Sequence, residues 1–432
     1  MKEKEGLSPT LRAEPEHEGS SSLFLDIFEG DPGLRFLQRR NVKPRALVVL
    51  PLLSMIVVLL AAASSGRLTG TGVRRAVCQD LAHLLFNPRW SCLTAPAAPP
   101  AFPLLRDIAS MSCVLIIGFT PLLIYRQWLA MQNVFYRMEE LRLIRYSSDV
   151  PDARLRFHIK VDEANQYFHR RGRLTLLNSS VALTCMLGIV ASQRSGIYPR
   201  LAPGNLRAAD IASWTQAAYS SWWANFDHSI FGWLAYFWIG YIGLYYIVTM
   251  NLIGGRVVLL LWQTRRLVSF GADPDDEDGY YGWATAREVL AATYTACAVH
   301  SVALLLVVLM VPGRSVWFLL PVAIFWLAVI PPYFLVPLIL ARRSVTRFKA
   351  WQESLLAREI ASLRRYEDTL QEQSARLELL HNRELLYQRL LRVRRIPNLP
   401  FRRLKDTVLL ILTVVTSAIS IYGTLALWYN LT

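Results

Sequence analysis

Seven stretches of this chain stay apolar for about 18 residues or more, the length that carries a helix across a hydrocarbon layer roughly 30 Å thick. They are 46–65, 108–125, 174–192, 230–253, 289–310, 317–340 and 407–428. Lipid offers no water to an unpaired backbone N–H or carbonyl, so each stretch must satisfy its own backbone as a helix. The expected fold class follows: an all-α, polytopic membrane protein with seven transmembrane helices and the lipid bilayer as its first partner. Composition agrees, because 53% of the 432 residues are hydrophobic and 13 are Trp, a profile foreign to most soluble domains.

An odd number of spans puts the two termini on opposite sides, and the basic residues choose the sides. Of the 47 Lys and Arg, 37 fall in 1–45, 126–173, 263–287 and 341–406, and only 9 fall in the alternate loops 66–107, 193–229 and 311–316. The N-terminus is therefore expected in the cytoplasm and the C-terminus outside, in a plasma or inner membrane. The net charge of +15 thus reads as orientation, and no nucleic-acid partner is expected. The first 45 residues are mostly polar and charged, so no cleavable signal peptide is expected.

The expected organisation has four parts. Residues 1–45 are a cytoplasmic tail, in which Leu23, Phe24, Ile27 and Phe28 could form the apolar side of a short interfacial helix. Residues 46–340 hold the first six spans and a cytoplasmic hairpin at 126–173, where Met131, Val134, Met138 and Leu141 continue the second span at helical spacing. Leu155, Phe157, Ile159 and Val161 alternate with charged residues as a strand would, yet no partner strand is evident, which favours helix. Residues 341–406 form a cytoplasmic helical extension, and 407–432 the last span with an external C-terminus.

From 341 to 395 there is no Gly and no Pro, and good helix formers dominate. The sixth span is expected to continue there as one helix, about 80 Å long at about 1.5 Å per residue, until Pro397 and Pro400 break it. Leu356, Leu363, Leu370, Leu377 and Leu391 recur at seven-residue spacing, with Glu384 interrupting. Tyr366, Leu380 and Tyr387 widen that stripe. The pattern suits a multi-helix bundle or a docked cytoplasmic partner better than a two-stranded coiled coil.

Cys78 and Cys92, in the first external loop, are expected to clip it as a disulfide on the oxidising side. Thirteen aromatic residues lie between Trp214 and Tyr246. Some belong to an interfacial belt, and Trp222, Trp223, Trp233, Tyr236, Phe237 and Tyr241 are candidates for a cleft that takes an apolar or cationic ligand. In the last span Thr413, Ser417, Ser420 and Thr424 are spaced 4, 3 and 4, with Thr416 adjoining. That is one helical face, either a pore lining or a packing face. Thr293, Cys297 and His300 give the fifth span a shorter polar face. Pro331 and Pro332 predict a hinge in the sixth span. Asp273 to Gly279 is acidic but fails the calcium-loop spacing, since Asp278 and Ala284 stand where Gly and Glu are required. No P-loop, GxSxG, HExxH, CxxC or dinucleotide motif occurs, so neither an enzyme nor a cofactor or metal is expected.

Seven spans, a cytoplasmic N-terminus, this length and helices extended into the cytoplasm before the last span resemble the insect odorant and gustatory receptor-like channels. Tyr422, in Ile421-Tyr422-Gly423-Thr424, stands where that family's last span carries Thr-Tyr, but no Gln-Phe follows it. The resemblance implies a homo-oligomeric ion channel or ligand-responsive receptor-channel, with cytoplasmic helices anchoring the oligomer and the seventh span lining the pore. The alternatives are a membrane scaffold that docks a partner through 341–395, and a secondary transporter, for which an internal repeat would be expected.

The topology has a direct test. A tag before Met1 should be protected in intact cells and one after Thr432 accessible; an accessible N-terminal tag would reverse every side assignment.

Overall fold

The computed structural model describes residues 23–68, 104–106, 108–194, 222–227, 229–276, 280–310, 316–367 and 373–398. They are overwhelmingly helical: α1 Pro32–Arg39, α2 Val49–Ser64, α3 Ile108–Gly118, α4 Thr120–Gln132, α5 Val134–Glu140, α6 Ala153–His169, α7 Arg171–Arg194, α8 Ile230–Thr264, α9 Ala284–Met310, α10 Val316–Glu367 and α11 Gln373–Arg395. Among the described residues four helices are long and apolar enough to cross a membrane, Pro44–Ser64, Val114–Glu140, Arg171–Ala191 and Ile230–Thr264. That is four where the sequence predicts seven. Segments 289–310 and 317–340 lie within α9 and α10, and 407–428 lies outside the described residues.

The centre of the bundle is α8. Ser229 caps it, its hydroxyl accepting from Gly232 N at 3.1 Å. Along its length α8 meets α2, α3, α4, α6, α7 and α10. Three of its glycines explain how so many neighbours fit. A Cβ on Gly240 would stand 2.6 Å from the Met186 sulfur of α7, one on Gly243 would overlap Ile117 of α3, and one on Gly254 would overlap the Tyr333 hydroxyl of α10. Small residues at these crossings let side chains of the next helix rest on the α8 backbone, the usual route to tight packing where lipid removes the hydrophobic drive. At Gly254 the contact is also polar, since Tyr333 donates to Met250 O at 2.6 Å.

The arginine-rich end of the bundle carries a cap. The apolar continuation of α4 through α5 is present: Met131 and Met138 are buried, and Leu141 is exposed at the helix end. Residues 155–161 are helical, as the missing partner strand suggested. Phe157, Val161, Ala164 and Phe168 of α6 face the core, while Leu155 and Ile159 face out. A two-stranded antiparallel sheet pairs β1 Ile144–Tyr146 with β2 Val268–Phe270, in the register Ile144 with Phe270. The segment before α1 is core. Leu23, Leu25, Ile27 and Phe28 are buried, and Phe24 stacks on Tyr136 at 4.4 Å. These residues turn into the protein and leave no apolar side for a membrane surface.

The single long helix expected beyond the sixth span is not formed. α10 ends at Glu367 and α11 returns beside it. Lys349 Nζ donates to Arg394 O at 3.1 Å and to Ile396 O at 2.9 Å, Glu353 lies 3.8 Å from Arg394, and Glu367 pairs with Arg383. Leu356 and Ile360 bury against Leu390 and Val393. No Gly or Pro marks the reversal. Its cause is tertiary, because a lone helix would leave both apolar faces in water, and folding back removes one of them. The stripe legible in the sequence splits accordingly: Leu356 packs inside the hairpin, whereas Leu377 and Leu391 are exposed.

Gly254→Ala should therefore destabilise the protein by about 1–3 kcal/mol, the usual range for overpacking, because the added methyl collides with Tyr333. Gly255→Ala, with nothing within 4 Å of its Cβ, should be neutral or stabilising by about 0.5–1 kcal/mol, as removing a helix glycine normally is. Thermal melts of the two variants check this; equal losses would contradict it.

Candidate functional site

The six aromatic candidates divide into two groups of three. Trp222 and Trp223 are buried beside Val58, Ala62, Val114 and Ile239, with Tyr236 packed against them. Their rings meet edge to face, with centroids 5.1 Å apart for Trp222 and Tyr236 and 5.7 Å for the two indoles. Such pairs contribute about 0.5–1.5 kcal/mol beyond the area they bury. This trio is a packed corner that holds α2, α3 and the start of α8 together. Trp233, Phe237 and Tyr241 recur every fourth residue along α8 and stack in series, at 5.3 and 6.4 Å. Trp233 and Phe237 border a broad groove of about 770 Å³ between α2 and α8, which Val57, Leu60, Phe231 and Trp238 also line. The groove is almost wholly carbon. The Trp233 indole N–H is buried, and among the described residues it has no hydrogen-bond partner.

Inside the bundle the polar side chains meet one another between helices. Thr120 Oγ1 and His300 Nε2 are 3.1 Å apart, and Gln127 Nε2 donates to Thr293 Oγ1 at 3.0 Å, joining α4 to α9. Asn178 donates to Thr249 at 2.7 Å, joining α7 to α8. The short face of Thr293, Cys297 and His300 is buried, with its hydroxyl and imidazole directed into a helix seam. Each such bond contributes about 0.6 kcal/mol to helix association.

The remaining predicted residues are placed as follows. Pro331 and Pro332 lie inside α10, which runs without interruption through both. Cys78, Cys92, Thr413, Thr416, Ser417, Ser420 and Thr424 lie outside the described residues. Cys297 is buried, and Cys185 is exposed on α7. Among the described residues no group of three or more His, Cys, Asp or Glu is arranged to hold a metal. Asp273 to Asp276 form a turn, with Asp275 paired to Arg392 at 2.6 Å.

No sequence pattern marks Asp31. It caps α1, accepting from Leu34 N at 2.7 Å, and takes a hydrogen bond from the Tyr245 hydroxyl of α8. Burial pushes its carboxyl above the usual range, and the bonds from Tyr245 and from the Leu34 and Gly33 amides pull it partly back. A carboxyl raised on folding stabilises the fold below its unfolded pKa, and that contribution is lost as pH rises through the folded value. Around it Asp26 N donates to Asn165 Oδ1, Asn165 Nδ2 to Phe24 O, and Tyr125 Oη to Val42 O, each at 2.9 Å. Arg145 of β1 lies under the rings of Phe348 and Trp351, at 4.6 and 4.2 Å, linking the sheet to α10.

Comparisons with protein-family models, with curated proteins and with solved structures find no match for this chain.

A buried indole and an exposed one should respond differently to truncation. Trp223→Ala removes a fully buried indole and should cost about 3–5 kcal/mol, as large core truncations do. Trp238→Ala removes an indole that lines the groove and is 61% exposed, and it should shift the melting temperature little; a comparable loss there would contradict the packing assignment.

Proposed function

We propose that the chain is a seven-span membrane protein acting as an oligomeric cation channel or ligand-responsive receptor-channel. Its N-terminus is cytoplasmic, and the helix at 407–428 lines the path. The observation that carries this reading is the hydroxyl face of that span, Thr413, Ser417, Ser420 and Thr424, opposite a face of Ile411, Val415 and Tyr422. The bundle supports it by what it does with its other polar groups. Thr120 with His300, Gln127 with Thr293, and Asn178 with Thr249 are paired between helices, and we read the last span's hydroxyl face, repeated around an oligomer, as the wet axis.

The exposed face of α11 favours a second reading, a scaffold. Leu377, Leu380, Tyr387 and Leu391 share one helical face about 120° from the buried Leu379, Leu390 and Val393. Leu377, Tyr387 and Leu391 stand in solvent. A water-facing apolar stripe of this kind marks a docking surface in many proteins.

Cysteines placed at 413, 417, 420 and 424 should react with small hydrophilic thiol reagents, and cysteines at 411, 415 and 419 should not. Ser420→Leu should reduce conductance while assembly is kept. Uniform protection at all four positions would make this a packing face and favour the scaffold.

A further inference from the structure

An apolar cavity of about 80 Å³ lies where α4, α5, α8, α9 and α10 converge. Met131, Phe135, Trp283 and Tyr333 form its depth and are buried. Of the lining residues, Val289 of α9 and Pro337 and Leu340 of α10 keep partial exposure, as do Val134, Val258, Leu261 and Ala286. Its two hydroxyls are already engaged. Thr293 donates to Val289 O at 2.8 Å and accepts from Gln127, and Tyr333 donates to Met250 O. A polar ligand would find nothing here to replace its water. The volume is about half that of the roughly 150 Å³ cavity that stays dry and binds benzene, enough for a few methylenes.

Charge lies beside the Leu340 edge of the cavity. Leu340 and Arg343 are i and i+3 on α10, and Arg347 follows one turn later on the same face. Arg343 and Arg347 are exposed, and among the described residues neither has an ion-pair partner. We infer that this cavity and the Arg343–Arg347 face bind one acidic phospholipid, a stretch of an acyl chain entering between α9 and α10 and the phosphate resting on the two arginines. The inference rests on the membrane reading above, with Arg343 at the inner-leaflet surface, where anionic lipid concentrates.

The test uses the full chain in vesicles that carry a trace of phosphatidylserine or phosphatidylcholine with a diazirine partway along one chain. Crosslinked peptides are then mapped by mass spectrometry. Peptides containing Met131–Met138 or Val257–Leu261 should label, and phosphatidylserine should exceed phosphatidylcholine. Arg343→Ala should cut that preference about fivefold, the ratio given by ~1 kcal/mol per basic residue at an anionic surface. Ala286→Phe, which fills the cavity, should abolish labelling there and leave the exposed α2 residues Leu52, Leu53 and Ile56 labelled as before. Labelling on α2 without labelling in the cavity would overturn the site, and equal labelling by both lipids would overturn the headgroup. Absence of labelling on α2 as well would overturn the membrane reading itself. The lipid preference of the unmodified chain decides the matter even if the Phe variant fails to fold.

Discussion

The close contacts on the α8 backbone are what the rest of the structure depends on. A helix of 35 residues that touches neighbours all round cannot carry large side chains at every crossing. Gly240, Gly243 and Gly254 point at three different helices, α7, α3 and α10, and each accepts a side chain where a methyl would stand. These are shape contacts, and in lipid they do much of the work that apolar burial does in water. The polar bonds between helices then fix rotation, since Asn178 reaches Thr249 only if α7 and α8 are in register.

Toward the arginine-rich end hydrogen bonds join the apolar contacts. There the N-terminal segment is threaded between α4 and α6 and held by backbone and amide bonds: Leu25 N to Gln132 O at 3.1 Å, and the reciprocal pair with Asn165. Asp31 ties the same segment to Tyr245. The cap therefore couples residues far apart in sequence, and through β1, β2 and Arg145 it reaches the base of the α10–α11 hairpin. A displacement of that hairpin has a continuous physical route to the span ends.

Much of this was legible in the residues. Lipid demands self-satisfied backbone, so apolar runs had to be helices, and 230–253 is helical with 11 further residues of α8 beyond it. The weak strand pattern at 155–161 has no partner strand in the sequence, and the segment is helical. The true strands were not legible, because each is three residues long and more than 120 residues from its mate. The reversal between α10 and α11 carries no breaker within the helices; it depends on Leu356 finding Leu390, which periodicity cannot announce. The aromatic cluster was visible as a cluster. Its division into a buried corner and a groove-side ladder was not, since that depends on which side of α8 faces α2 and α3. The core role of Leu25 and Asp31 escaped notice because isolated residues in a polar tail have no period.

On this account the chain is a rigid helical frame. Polar side chains pair across its helix seams, and in the proposed channel the conducting surface would arise where copies assemble around the last span. Imaging the purified full chain in lipid tests that claim most directly. The account predicts a closed ring of identical subunits with the 407–428 helices around a water-filled axis. A monomer, or an assembly with those helices buried between protein and lipid, would contradict it.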